Sequence, residues 1–290
     1  MGNIADALEK AGVELLDQPA GSGSAEQIDR PDLVEDTVKV DDSTAEPADV
    51  ICGSWDERID LVANRSTPAA EAFRMLRSRI LFPQDGKIRP RTIMVTSSAP
   101  QEGKSFVSVN LAVAMARGLD QHSLLVDCDL RYPSLAGLLG LGGVCKRGLT
   151  EYLQEECDLP ELISKTVVEK LSLLPCGSIP ANPAELLVSS RMINLVEELS
   201  GRYSDRFIIF DSPPFQVASE AVVLSQKVDG VVLVVGSGKS DRRKIKEMID
   251  NIGQDKIIGV VFNGYKESSL KKRMFDPYGG YGKYYGSEEK

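Results

Sequence analysis

The segment from residue 92 to residue 105 constrains the fold more than any other part of the chain. It reads Thr92-Ile-Met-Val-Thr-Ser-Ser98-Ala-Pro-Gln-Glu-Gly103-Lys104-Ser105, an apolar strand, a loop and a helix start. In a phosphate-binding loop (P-loop), backbone N–H groups at such a helix start surround phosphates, the lysine reaches the β- and γ-phosphates, and the serine binds magnesium. Serine at position 98 replaces the usual first glycine. The strand before the loop and the helix after it favour a P-loop over a structural turn.

Two further apolar runs end in acidic residues. Asp127 and Asp129 close one run, and Asp211 closes another, directly before Ser-Pro-Pro. Acids at i and i+2 on an extended strand end point to the same side, and doubly wound folds bind ligands at the carboxyl ends of their strands. We therefore expect one acid of the pair to hold magnesium and the other to face an incoming hydroxyl, with Asp211 as a second-sphere magnesium ligand. For Asp129, a helix N-cap is the alternative.

Strand-like runs alternate with amphipathic helices through most of the chain. The predicted strands are Thr92–Thr96, Ser123–Asp127, Leu171–Leu174, Arg206–Asp211, Val231–Val235 and Ile257–Asn263. The predicted helices include Lys104–Arg117, Arg191–Leu199 and Arg242–Ile252. Buried strands that are apolar throughout and alternate with helices indicate an α/β fold with a doubly wound, mostly parallel sheet.

The composition divides the chain into three regions. Residues 1–60 contain a short amphipathic helix over 3–16 and an acidic linker, expected to be disordered, in which Trp55 is the one aromatic residue. Residues 61–265 form the P-loop domain. Residues 266–290 are a flexible tail of Gly, Ser, Lys and Tyr without periodicity.

Charge and cysteine usage exclude several classes of protein. The net charge of −9 argues against a nucleic-acid partner, because phosphate backbones are bound by clustered Lys and Arg. The five cysteines include no C-x-x-C pair and His122 is the single histidine, so zinc clusters and histidine-based triads are nearly excluded. There is no secretory signal and no run of about 18 apolar residues. These features predict a cytoplasmic protein with reduced thiols.

With these motifs the chain resembles the bacterial protein-tyrosine kinases of capsule and exopolysaccharide loci. Those enzymes combine a P-loop, a D-x-D-x-R-x-P segment, a D-x-P-P strand end and a terminal tyrosine cluster, on the fold of a MinD/ParA-like P-loop NTPase. The similarity runs from about Thr67 to the C-terminus, over two-thirds of the chain. It implies ATP and Mg²⁺ as cofactors, Asp127 as the catalytic carboxylate and Asp129 as its metal-linked neighbour.

The P-loop and the resemblance together give the candidate site residues. Those assigned to ATP are Ser98, Gln101, Glu102, Gly103, Lys104, Ser105, Phe106, Arg131 and Asn263. Those assigned to magnesium are Ser105, Asp129 and Asp211, and those assigned to catalysis are Lys104, Asp127 and Asp129. A contact between Asn263 and the adenine is one possibility, and a plain turn residue is the other. Phe106 departs from the family, which commonly has a second small hydroxyl residue there.

The tail suggests what receives the phosphate. Half of the eight tyrosines lie there, and the predicted acceptors are Tyr278, Tyr281, Tyr284 and Tyr285. The glycines between them give no reason for these aromatic rings to pack in a core. An enzyme that carries its own substrate explains the pattern.

A predicted helix near residue 70 suggests self-association. Glu71, Arg74 and Arg77 recur every three residues and resemble the family's E-x-x-R-x-x-R oligomerisation helix; an ordinary charged surface is the alternative. The resemblance implies a homo-oligomer in which one subunit phosphorylates another. It also implies a membrane polysaccharide co-polymerase that activates the kinase and recruits it to the inner face of the membrane, and a protein-tyrosine phosphatase that resets the tail.

Two other functions stay open. A MinD/ParA-type ATPase switch would carry a second lysine four residues before the final glycine of the P-loop, where this chain has Ala99. An ATP-binding adaptor of a membrane co-polymerase would use the tail for docking, with Lys271, Lys272 and Arg273 contacting anionic lipid. The complete set of acids favours the kinase over both.

Overall fold

The computed structural model describes residues 54–59, 67–83, 86–202 and 206–265, which contain one seven-stranded sheet with helices on both faces. The strands are β1 (Thr92–Ser97), β2 (His122–Asp127), β3 (Ser164–Lys165), β4 (Leu171–Leu174), β5 (Arg206–Asp211), β6 (Gly230–Gly236) and β7 (Ile257–Asn263). The helices are α1 (Pro68–Leu81), α2 (Lys104–Ala116), α3 (Leu135–Leu138), α4 (Leu149–Leu153), α5 (Leu159–Leu162), α6 (Pro183–Leu187), α7 (Ser190–Arg202), α8 (Ser219–Lys227) and α9 (Arg242–Ile252). Two 3₁₀ turns cover Phe215–Val217 and Gln254–Lys256.

The strand order places the predicted motifs side by side. The order is β3-β4-β2-β5-β1-β6-β7, and all neighbours are parallel except β3 and β4. Asp127 at the end of β2 is paired in register with Asp211 at the end of β5, and Val95 of β1 is paired with Asp211 from the other side. Three strands therefore deliver the P-loop and both acidic motifs to one edge of the sheet.

Both faces of the central strands are buried, which explains why their sequences are apolar without alternation. Met94 and Leu124 face one hydrophobic core, and their neighbours Ile93 and Leu125 face the other. All six predicted strands are present, with ends that differ from the prediction by at most one residue. The short antiparallel strand β3 was not predicted, because two residues carry no periodicity. The doubly wound α/β prediction is confirmed.

Helix α1 begins at Pro68 with Thr67 as its N-cap. The Thr67 hydroxyl accepts a hydrogen bond from the Ala70 N–H at 3.1 Å, and proline occupies the first helical position. The buried side of the helix carries Phe73, Leu76 and Ile80.

The last residues of the predicted linker contact the core. Ile59 is fully buried in the same hydrophobic cluster as α1, and Trp55 packs against that cluster. The Asp56 N–H donates to the Leu138 carbonyl at 3.0 Å. The order predicted from residue 61 onwards therefore begins earlier, at least over residues 54–59, because isolated apolar residues in an acidic stretch give little signal. The remaining boundaries stay predictions. No helix of the described residues is long and apolar enough to span a membrane.

Candidate active site

The loop between β1 and α2 has the backbone geometry of a phosphate cradle. Gly103, at the N-cap of α2, has φ +92°, and Gln101 has φ +61°. A Cβ on Gly103 would lie 2.0 Å from Asn263 Nδ2. Glycine is therefore required here for two reasons, the left-handed backbone and the closeness of the end of β7.

Glu102 supports this loop from inside the protein. Its carboxylate is buried and accepts hydrogen bonds from the Ser98 hydroxyl at 3.1 Å, the Ala99 N–H at 3.0 Å and the Ser240 hydroxyl. The Asn263 amide donates to the Glu102 carbonyl at 2.9 Å. Ser98, Glu102 and Asn263 were predicted to contact ATP, but in this structure their side chains bond to the loop itself. Ser240 adds a contact that the sequence analysis did not use.

Phe106 also turns away from the phosphates. Its ring meets Phe73 of α1 edge to face, with centroids 6.3 Å apart. A large ring at this position therefore helps to dock α1 onto α2.

Lys104 lies among three carboxylates. Its Nζ is 2.8 Å from Asp129 Oδ2 in an ion pair of which both side chains are mostly buried. Burial alone would lower the pKa of Lys104, but the charges of Asp211, Asp129 and Asp127 outweigh it and raise that pKa. The lysine is therefore a permanent cation at the point where the P-loop expects phosphates.

Asp127 is buried against the segment that follows β2. Its Oδ2 accepts hydrogen bonds from the Ser134 and Leu135 N–H groups at 3.2 and 3.1 Å. Its Oδ1 accepts one from the Asp129 N–H at 3.3 Å. Burial and the nearby charge of Asp211 raise the pKa of Asp127 to about 8. Asp127 thus binds the start of α3, while Asp129, for which a helix N-cap was the alternative, accepts the Tyr132 N–H at 3.1 Å in the turn before that helix.

Asp211 fits a magnesium site. One oxygen accepts a hydrogen bond from the Ser108 hydroxyl at 2.9 Å, while Oδ2 is buried and has no hydrogen-bond partner. Burial raises its pKa to about 6, against the opposing effects of the Lys104 charge and of the nearby Ser105 and Ser108 hydroxyl groups. A buried carboxylate oxygen without a partner is costly unless a ligand satisfies it. An oxygen-rich set of this kind suits Mg²⁺.

The described residues hold no group of three or more His, Cys, Asp or Glu arranged to bind a metal by themselves. Mg²⁺ usually keeps several waters and takes substrate phosphates as ligands, together with one or two protein carboxylates. Ser105 and Asp211, together with Asp129, fit that pattern.

Arg131 is held by an acid that the sequence analysis missed. Its Nη2 lies 2.7 Å from Glu220 Oε1, and the Glu220 side chain is only 1% exposed. The Arg131 Nε is buried without a partner. Glu220 lies in the first turn of α8, after the double proline. It is the one acid among the buried residues of that helix, and this is the only sequence signal that could have identified it. To contact ATP as predicted, Arg131 would have to do so while paired with Glu220, or break that ion pair.

The predicted oligomerisation residues lie on α1 but behave differently from one another. Arg74 pairs with Glu71 at 2.7 Å on the exposed surface. Arg77 instead donates to the Ala114 carbonyl of α2 at 2.9 Å. In this structure Arg77 therefore binds its own subunit. The four predicted acceptor tyrosines lie outside the described residues.

Comparisons with known proteins agree with this geometry. Residues 93–278 match the family of CobQ/CobB/MinD/ParA nucleotide binding domains. The tyrosine-protein kinase CpsD of Streptococcus agalactiae is 32% identical over 78% of this chain and 96% of its own length. The tyrosine-protein kinase YwqD of Bacillus subtilis is 34% identical over 73% and 86%. The kinase domain of the Escherichia coli tyrosine kinase ETK superposes with a TM-score of 0.63 at 29% identity, covering 72% of this chain and 82% of that one.

Proposed function

The chain belongs to the bacterial protein-tyrosine kinases, and on that basis we propose that it transfers phosphate from ATP to its own C-terminal tyrosines. Like the other members of this family, it has a nucleotide-binding P-loop domain and is a tyrosine kinase. The acceptors in this proposal are Tyr278, Tyr281, Tyr284 and Tyr285. The reaction would regulate the synthesis and export of an exopolysaccharide.

One observation carries the proposal: the buried ion pair between Lys104 and Asp129, beside the unpartnered oxygen of Asp211. Phosphoryl transfer depends mostly on positioning and charge neutralisation, because its transition state is loose. Lys104 supplies a fixed positive charge for the transferring group. Ser105, Asp129 and Asp211 would hold magnesium, which would supply positive charge to offset the negative charge of the phosphates.

Asp127 is the proposed acceptor of the phenol proton. An ordinary aspartate has a pKa near 4 and a tyrosine phenol near 10, which makes aspartate a weak base for this step. Burial raises the pKa of Asp127 to about 8 and narrows that gap. A base is most effective when its pKa lies near the operating pH. The raised pKa therefore supports the role, although the proton must reach an oxygen that already accepts backbone N–H groups.

The acceptors would reach an active site through the tail. Tyr278 follows Asn263 by 15 residues, and a chain of that length spans at most about 50 Å. We propose transfer between subunits of a homo-oligomer that Glu71 and Arg74 help to form. A membrane polysaccharide co-polymerase would activate the kinase and recruit it to the membrane, and a protein-tyrosine phosphatase would reset it.

An ATPase switch without kinase activity is the main alternative. Ala99 stands at the position of the second lysine that such switches carry, and its N–H is bonded to Glu102 inside the loop. No other lysine of the described residues forms an ion pair with the site carboxylates. The charge that a switch would need is therefore missing from its usual position.

The test is to incubate purified protein with ATP and magnesium and to locate phosphate by mass spectrometry. The expected result is phosphotyrosine at residues 278–285 that disappears in Lys104→Met. Lys146→Met, which changes an exposed lysine outside the site, is the matched control and should behave as wild type. ATP turnover without phosphotyrosine, unchanged by truncation after Asp276 and by a supplied membrane activator, would identify an ATPase switch instead.

A further inference from the structure

Helix α9 presents three cations on one flank. Arg242, Arg243 and Lys246 are exposed and stand at i, i+1 and i+4. At 100° per residue, these positions share one side of the helix. We call them the basic patch. The buried side of α9 carries Met248 and Ile252.

The three cations of the basic patch have no ion-pair partner in the part of the chain that the structure describes. None of their side chains comes within 4.0 Å of a carboxylate of the described residues. Arg242 repels Lys246 at i,i+4, and cations in the first turn of a helix oppose its dipole. Glu247 and Asp250 follow Arg243 and Lys246 at i+4 and offset part of this repulsion without forming an ion pair. The Arg243 N–H is already capped by the Asp241 carboxylate at 2.8 Å. What this surface offers an anionic ligand is therefore side-chain charge that no described acid pairs.

The basic patch lies on the helix that leads into β7, the strand from which the tail departs. The Gln226 amide of α8 lies 3.4 and 3.3 Å from the carbonyls of Asn251 and Ile252, which places α8 beside the C-terminal end of α9, away from Arg242 and Arg243 in its first turn. The Asn263 carbonyl at the end of β7 accepts from the Ser237 N–H at 2.8 Å, in the loop that leads into α9. The tail thus begins close to the patch.

We infer that the basic patch binds the phosphorylated tyrosines of the chain's own tail. The inference rests on the proposed function, which puts phosphate on Tyr278–Tyr285. Each phosphotyrosine carries about −1.5 to −2 charges, and arginine binds phosphate through two parallel hydrogen bonds. The unmodified tail has little reason to bind, since residues 266–290 carry six basic and four acidic side chains and therefore a small net positive charge. Phosphorylation therefore changes the net charge of the tail from positive to negative, so that the basic patch attracts it. The docked tail is then protected from phosphatases.

Binding can be measured without any kinase activity. A synthetic peptide of residues 276–290 with phosphate on Tyr281, Tyr284 and Tyr285 is titrated with the full-length protein, and fluorescence anisotropy reports the complex. The expected result is that Arg242→Gln/Arg243→Gln/Lys246→Gln weakens binding about tenfold or more. The unphosphorylated peptide should bind far more weakly to wild type than the phosphopeptide.

A matched control removes the same charge elsewhere. Lys146, Lys165 and Lys244 are exposed, and Lys244 lies on the same helix outside the basic patch. Their joint replacement by glutamine should change the affinity by less than about twofold. Equal losses in the two triple variants, or equal binding of both peptides to wild type, would overturn the inference. Patch-dependent binding to phosphatidylglycerol vesicles without binding of the phosphopeptide would assign the surface to lipid and overturn it too.

A second measurement uses the chain's own tail. After autophosphorylation, the patch variant should lose phosphotyrosine to an added phosphatase several times faster than wild type or the control. Equal rates would contradict docking in the chain. If no autophosphorylation occurs, the proposed function fails, while the peptide titration still decides whether the patch binds phosphotyrosine.

Discussion

The contact between Gly103 and Asn263 allows a quantitative test of how the P-loop is held. In Gly103→Ala the new methyl group would lie 2.0 Å from Asn263 Nδ2, and the backbone would stay at φ +92°. An L-residue in the left-handed region costs about 1–2 kcal/mol. Displacing Asn263 also breaks its 2.9 Å hydrogen bond to the Glu102 carbonyl, worth about 1 kcal/mol. The free energy of unfolding should therefore fall by about 2–3 kcal/mol.

A double-mutant cycle separates these two costs. Asn263→Ala loses the hydrogen bond alone and should cost about 1 kcal/mol. In the Asn263→Ala background, Gly103→Ala should cost only the backbone strain, about 1–2 kcal/mol, because the clash is gone and the bond is already lost. Urea unfolding of the four proteins measures each value. If Gly103→Ala costs the same in both backgrounds, the side chain of Asn263 does not hold the loop.

The same variants decide what Asn263 does for the nucleotide. As a loop support, it should affect ATP and GTP alike, so that Asn263→Ala weakens both by the same factor in a binding titration. Asn251→Ala is a suitable control, since that exposed amide bonds only to the Glu247 carbonyl of its own helix. A selective loss of ATP affinity would show that Asn263 contacts the adenine after all.

Three further results are expected. Asp129→Asn should release Lys104 from its 2.8 Å ion pair, so magnesium-free nucleotide should bind more tightly than to wild type while the gain from added magnesium shrinks; unchanged affinities in calorimetry would contradict this. Glu220→Gln should weaken the buried contact to Arg131 and lower the free energy of unfolding by about 1–3 kcal/mol in urea, whereas no change would mean that the pair is dispensable. Burial, with a contribution from the nearby Asp127 charge, raises the pKa of the Cys176 thiol to about 12, so the thiol stays protonated up to about pH 11 and native protein at pH 9 should resist iodoacetamide at this residue; mass spectrometry showing rapid labelling would refute the burial argument.

The sequence contained the strands and the chemistry of their ends, because burial on both faces makes a strand apolar and an acid at its end stands out. Asp127 and Asp211 lie side by side because β2 pairs with β5. The order of strands in a sheet cannot be read from the periodicity of the sequence. Roles within the site were harder to predict. Glu102 lies in the P-loop and Asn263 at the end of β7, and both were assigned to ATP, yet the side chains of both form hydrogen bonds with the loop. Hydrogen bonds decide whether a side chain supports the loop or is left to bind the nucleotide. They form between segments that are distant in sequence, so the sequence alone does not reveal them.

The charges of the site link the binding of nucleotide to the binding of magnesium. Lys104 stands against three buried acids, and burial raises the pKa of Asp127 and of Asp211, so negative charge is costly there unless a cation balances it. While Asp129 holds Lys104 at 2.8 Å, that carboxylate is engaged and the lysine is unavailable to a phosphate. When Lys104 moves to a phosphate, Asp129 loses its ion-pair partner and can bind a cation. The same cation would be the partner that the Asp211 oxygen lacks. Nucleotide and magnesium should therefore bind more tightly together than apart, since each removes a charge imbalance that the other creates.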